Sequence, residues 1–221
     1  MFEAVDLYCE RLDAGFWAEP VNALTNLAFV LAAWLVWRRA RRLGALSSET
    51  KLLAGMIALI GIGSFLFHTF ATGWAEWADV LPILLFELAY LYLYLRRIAG
   101  MRPAAAAGMT ALYLPVGLAS GGFPNLLNGS LSYAPALVVL FALGLYHYAS
   151  QKKARRMLLA AAALFFVSLT FRTTDMAVCP SFPLGTHFIW HLLNALTLYL
   201  LMLGYLANLP GSTRRAVKPA I

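Results

Sequence analysis

The chain of 221 residues is poor in charge. Asp, Glu, Lys and Arg make up 12% of it, half of the roughly 25% usual in soluble domains. With 62% hydrophobic residues and a mean hydropathy of +0.73, that scarcity excludes a soluble globular protein and implies a polytopic membrane protein. Acids are scarcer still than bases, but the net charge of +7 is no mark of nucleic-acid binding, because the positive residues follow membrane topology. Histidine is rare, with four in the chain, and cysteine rarer, with Cys9 and Cys179 alone. There is no internal repeat, low-complexity tract or second domain, so residues 1–221 read as one membrane domain. The first twenty residues are acidic and lack an apolar core; no cleavable signal peptide is expected, and the first helix inserts directly.

What is abundant is apolar sequence in membrane-length runs, at about residues 22–37, 52–70, 79–95, 104–120, 132–149, 157–172 and 186–209. Each suits the roughly 17–25 residues that a helix needs to cross hydrocarbon. Basic clusters follow the first, third, fifth and seventh runs: Arg38 to Lys51, Arg96 to Arg102, Lys152 to Arg156, and Arg214 to Lys218. Every Lys and Arg except Arg11 and Arg172 then lies on one side. The positive-inside rule gives an all-α fold of seven transmembrane helices. Its N-terminus, with an acidic segment 1–21, is outside, and a basic tail 210–221 is in the cytoplasm.

The polar residues sort to the opposite side. Glu3, Asp6, Glu10, Asp13, Glu19, Glu76, Asp79 and Asp175 are outer, and Glu49 is the one inner acid. His187 and His191 stand at i and i+4, on one face of a helix, and His68 ends the second helix at the same depth. Three imidazoles with an open fourth position are the ligand set of a catalytic zinc, and polar groups in hydrocarbon are costly enough to suggest function. Ser64 shares a face with His68 one turn deeper, Gly61 and Gly63 permit close helix approach, and Asp79 opens the third helix, where it would also serve as an N-cap. His147, near the inner end of the fifth helix, reads as interfacial. Glu87 is an unassigned intramembrane acid with Asn194 as one available partner.

The pattern Ser64-x3-His68, Asp79 and Gly185-Thr186-His187-x3-His191, with Tyr8-Cys9-Glu10 and Trp17-Ala18-Glu19-Pro20-x-Asn22 before the first helix, resembles the alkaline ceramidase family over residues 6 to 209. That family belongs to a heptahelical hydrolase superfamily that includes the adiponectin and progestin receptor group. The resemblance implies zinc on His68, His187 and His191, with Asp79 as general acid and base and Ser64 as oxyanion donor. The implied reaction is hydrolysis of the amide bond of ceramide or a related N-acyl lipid, giving a fatty acid and a sphingoid-type amine. It also implies a calcium site from the N-terminal acids Glu10, Glu19, Asp6 and Asp13. Here the pattern departs from the animal members: Cys9 to Glu19 is two residues shorter, and no asparagine follows Glu10 at the matching place.

Cys9 and Cys179 both fall outside, and an even count in an oxidising compartment supports a disulfide holding the acidic segment over the site. The alternative function is a heptahelical lipid receptor or sensor with structural zinc. A closed structural site normally takes four protein ligands, and the histidines supply three. A b-type haem protein would leave Asp79 and Ser64 unexplained. Small size and short loops suggest a bacterial member in the inner membrane, its site facing the periplasm, acting on a membrane lipid with no obligate protein partner.

Overall fold

The structure is a computed structural model that describes residues 3–123 and 126–210; the basic cluster Arg214, Arg215 and Lys218 lies outside the described residues. The described residues are all-helical, with seven helical spans long and apolar enough to cross a membrane. In hydrocarbon a helix satisfies its own backbone donors and acceptors, so each apolar run becomes one. The first span is α1 (Pro20–Thr25) continued by α2 (Leu27–Leu43). Then come α3 (Ser48–Phe70), α4 (Gly73–Arg97), α5 (Pro103–Gly121), a 3-10 turn (Ser130–Tyr133) leading into α6 (Ala134–Ala149), α7 (Met157–Val178) and α8 (His187–Ala207). The ends follow ordinary capping chemistry. Pro20 and Pro103 open α1 and α5, Gly44 closes α2 in the left-handed conformation, and the Ser47 hydroxyl accepts the Thr50 amide at the start of α3.

α4 begins earlier than the apolar run suggests. Thr72 is its N-cap residue, so Asp79 is not a cap but lies nearly two turns inside the helix. The polar first turns stay helical because Ala75 is buried against Tyr8 and Phe67. α3 and α8 form the centre of the bundle, with long runs of buried residues. α5 is peripheral and buries Ala106 and Tyr113 alone. Large apolar side chains such as Leu27, Leu31, Trp34, Leu112 and Val138 are exposed, which suits a surface solvated by lipid.

Two glycines fix how closely the helices around the site approach. A Cβ on Gly61 would stand 2.8 Å from the Asn26 carbonyl oxygen and 2.9 Å from Phe29 Cβ, and one on Gly63 would collide with the Ala78 carbonyl. The second contact has a cause in α4. Pro82 has no N–H, so the Ala78 oxygen four residues earlier loses its helical donor and turns to the bare backbone of α3. Gly63→Ala should therefore force α3 and α4 apart, costing about 1–3 kcal/mol by overpacking. Because Asp79 follows Ala78, the same change should move its carboxyl away from Ser64. Thermal unfolding in detergent checks the cost.

At the opposite end of the bundle, in the last turn of α6, His147 is fully buried against protein. Its Nδ1 accepts the Tyr94 hydroxyl at 2.8 Å and its Nε2–H donates to the Lys153 carbonyl at 3.0 Å. With both nitrogens used, it ties α4 and α6 to the following turn and has no lone pair for a metal.

Candidate metal centre

His68 comes from the last turn of α3, and His187 and His191 from the first turns of α8. Antiparallel packing brings these ends to one depth. All three side chains are buried, and one ring nitrogen from each lies within 4.8 Å of the others. Ring centroids are 4.6 Å apart for His187 and His191, 4.8 Å for His68 and His191, and 5.1 Å for His68 and His187.

The hydrogen bonds decide which nitrogens are free. His68 Nδ1 donates to Glu19 Oε2 at 2.5 Å. The Thr25 hydroxyl spends its proton on the α1 carbonyls of Val21 or Asn22, so its oxygen accepts from His191 Nδ1–H at 2.9 Å. These bonds select the tautomers that leave each Nε2 lone pair unprotonated. His68 Nε2, His191 Nε2 and His187 Nδ1 are buried without a hydrogen-bond partner. Three orphaned nitrogens in one cluster are costly unless something binds them, and a metal ion fits that donor set. Tyr8 closes the top, its ring stacked on His187 with centroids 3.7 Å apart; burial pushes its phenol well above the ordinary range, so it remains a neutral cover.

Asp79 and Ser64 meet beside the histidines, hydroxyl to carboxyl, across the α3–α4 contact. Ser64 is buried and Asp79 partly so. Arg172 of α7, a buried residue, acts electrostatically on both Asp79 and Tyr8. It donates to the Asn128 carbonyl at 2.7 Å and the Ser130 hydroxyl at 3.1 Å.

The N-terminal acids do not gather into one cluster. Both oxygens of Glu10 cap α1, accepting the amides of Val21 and Asn22 at 2.7 and 2.8 Å. Burial raises its carboxyl above the ordinary carboxylate range against those two donors. Asp13 closes a turn on the Gly15 amide at 2.6 Å, and Asp6 is exposed. Glu19 faces His68, Arg11 and Asn22. Burial alone would raise its carboxyl, but those three donors outweigh it and hold it below the usual value.

The segment before α1 is fastened across the site. Cys9 and Cys179 form a disulfide with Cα atoms 5.5 Å apart, and Ala4 makes a single antiparallel bridge to Thr72. Asp175 is the anchor that charge counting did not reveal. Fully buried, it accepts the Thr186 and His187 amides at 2.6 and 2.9 Å on one oxygen and the Cys9 amide at 3.0 Å on the other. Gly185 passes so close to its carboxylate that a Cβ would collide, and Gly185 has a φ of +63°, so both space and backbone demand glycine there. Asp175→Ala should strand buried donors at the start of α8 and cost on the order of 2–4 kcal/mol, read as a lower melting temperature with the disulfide intact. Among the remaining residues, Thr25 carries no sequence signal for the site, Tyr8 entered only as a letter of the Tyr8-Cys9-Glu10 motif with no role attached, and Arg172 stood out only as an exception to the charge asymmetry.

The fold and this cluster together define a multi-pass membrane protein with a buried three-histidine centre able to hold a metal ion and a carboxylate beside it. The profile of the ceramidase family matches residues 8–213. The chain belongs to the ceramidase family and is a hydrolase of amide bonds. No curated protein matches it.

Proposed function

We propose that the protein is a zinc-dependent hydrolase of ceramide or a related N-acyl lipid, with zinc held by His68, His187 and His191. The carrying observation is the trio of orphaned, buried ring nitrogens beside Asp79 and Ser64. Zinc bound there would supply Lewis acidity, polarising the amide carbonyl and lowering the pKa of water to about 7. The residues of the chain do the rest. Asp79 takes a proton from the attacking water as its oxygen bonds to the carbonyl carbon, then delivers a proton to the nitrogen as the C–N bond breaks. The Ser64 hydroxyl donates to the amide oxygen as negative charge develops. The products are a fatty acid and an amine, which for ceramide is a sphingoid base.

A lipid substrate is supported by a cavity of about 80 Å³ directly beneath the histidines, several times the roughly 10–15 Å³ that one water requires. Its walls include Ile60, Ile83 and Asn194, each one helical turn below Ser64, Asp79 and His191 respectively. Glu87 lines it too, paired with the Tyr113 hydroxyl at 2.6 Å and not with Asn194. Tyr113, one of the two buried residues of the peripheral α5, forms part of the cavity wall.

We place the centre on the outer face of the membrane, the periplasmic side of a bacterial inner membrane, because the basic loops cluster at the other end of the bundle and the disulfide requires an oxidising compartment. The disulfide also consumes both thiols, so a closed structural site of the receptor kind has no cysteine to draw on. The test is hydrolysis of a panel of N-acyl lipids, with and without sphingoid backbones, by purified protein whose zinc content is measured in parallel. Release of fatty acid in proportion to bound zinc supports the assignment; turnover undiminished in metal-free protein overturns it, and zinc without turnover on any lipid favours a sensor.

A further inference from the structure

Family resemblance places a calcium ion among the acids before the first helix, and a calcium ion needs six to eight oxygen ligands. In this chain the two buried acids, Glu10 and Glu19, are already engaged through both oxygens, while Asp6 is exposed and joins neither of them. Glu10 is committed to the α1 amides, Asp13 Oδ1 to Gly15, and one Glu19 oxygen to His68 and Asn22. The other Glu19 oxygen accepts Arg11 Nε at 2.6 Å. The rest of the Arg11 guanidinium is turned on backbone oxygens, with Nη1 on the Asp13 carbonyl at 3.2 Å and Nη2 on the His68 carbonyl at 3.0 Å. Arg11 and Glu19 are both buried, which is where an unpaired charge is least tolerated. Three oxygens from three parts of the chain thus converge on one covalently attached cation.

We propose that Arg11 is the resident cation of the N-terminal segment: its guanidinium stands in for a divalent ion, holds Glu19 in register with His68 Nδ1, and makes the protein independent of calcium. The planar fork suits the task, because it satisfies a carboxylate and two carbonyls in fixed directions. Through Glu19 it is a positioning residue for the metal centre, since a carboxylate behind a histidine sets that ring's tautomer and orientation. The Arg11 donor on the His68 carbonyl adds a second hold on the same residue, at the end of α3. The inference rests on His68 being a metal ligand, but its first test does not.

Two measurements on the full-length, zinc-loaded protein in detergent decide it. Equilibrium binding of radioactive calcium to protein desalted into calcium-free buffer should give no stoichiometric uptake at 1 mM CaCl₂, and the melting temperature should be the same with and without that salt. Uptake of one calcium per chain with a rise in melting temperature overturns the proposal, whatever the protein hydrolyses. Arg11→Gln should then release zinc to a competing chelator about 10–100-fold more readily, the usual cost of losing a partner behind a metal ligand. Arg11→Lys, which keeps the charge, should recover most of that loss. Zinc retention in Arg11→Gln equal to that of the unmutated protein overturns the positioning role. If Arg11→Gln does not fold, the calcium measurement and Arg11→Lys still decide, since a folded, zinc-loaded lysine variant that yields its zinc to the chelator about 10–100-fold more readily than the unmutated protein also overturns it.

Discussion

Asp79→Asn should leave the metal in place and lower amide hydrolysis by about 10³-fold, within the 10²–10⁴ that a positioned acid–base group contributes and equivalent to about 4 kcal/mol of lost transition-state stabilisation. Asparagine has nearly the size of aspartate, so the α3–α4 contact at Gly63 and Ala78 is undisturbed and the Ser64 hydroxyl still has an oxygen to face. On the proposed mechanism, what disappears is the basic lone pair that would take the water proton and the acid that would protonate the amine. Asp79 is not part of the three-histidine cluster, so zinc content should remain at about one equivalent. The loss should fall on kcat with little change in KM if, as proposed, the carboxyl acts on atoms that become charged only as the reaction proceeds. A variant with full kcat would remove Asp79 from the chemistry.

His187→Ala should have the opposite signature, losing metal and activity together. Two imidazoles remain, His68 and His191, and two nitrogens do not complete a zinc site of the catalytic kind. The imidazole also lies against the Tyr8 ring at 3.7 Å and beside both other histidines, so its removal opens a void under the N-terminal cover. Metal analysis should read near zero, and hydrolysis should fall to the buffer background. Added zinc should no longer raise the melting temperature, since stabilisation by a ligand grows with the ratio of its concentration to its dissociation constant. Zinc retained at wild-type affinity in this variant would mean that His187 is not a ligand. Comparing the two variants separates chemistry from assembly, because one keeps the metal without turnover and the other loses both.

The architecture was legible in the sequence for a simple reason. Hydrocarbon offers no partner to backbone N–H and C=O groups, so apolar runs of sufficient length become helices whatever their neighbours do. The antiparallel order of seven such runs then brings His68, at the end of one span, to the depth of His187 and His191, at the start of another. The start of α4 departed from expectation, and it did so at polar sequence. α4 extends back to Gly73 through Trp74 and Glu76, and Asp79 thereby lies within the helix, where its carboxyl meets Ser64.

The surroundings of the histidines were not legible. Glu19 reads as a calcium ligand by resemblance, yet its carboxylate lies on His68 and Arg11. Arg11 itself reads only as a charge on the unexpected side of the membrane. Asp175, indistinguishable in sequence from any outer acid, ties Cys9 to the start of α8. These residues lie in a segment and at helix ends where no periodicity constrains the chain. Their partners are up to 166 residues away and are chosen by which donors and acceptors burial leaves unpaired.

The sequence by itself determined that the protein lives in a membrane, how many times its helices cross, and which three histidines share a depth, because solvation by lipid acts on local composition. Only the tertiary structure decided which nitrogen of His68 and of His191 is free, which carboxylate orients His68, and which cation faces that carboxylate, because those choices depend on hydrogen bonds closed between distant segments inside a low-dielectric interior.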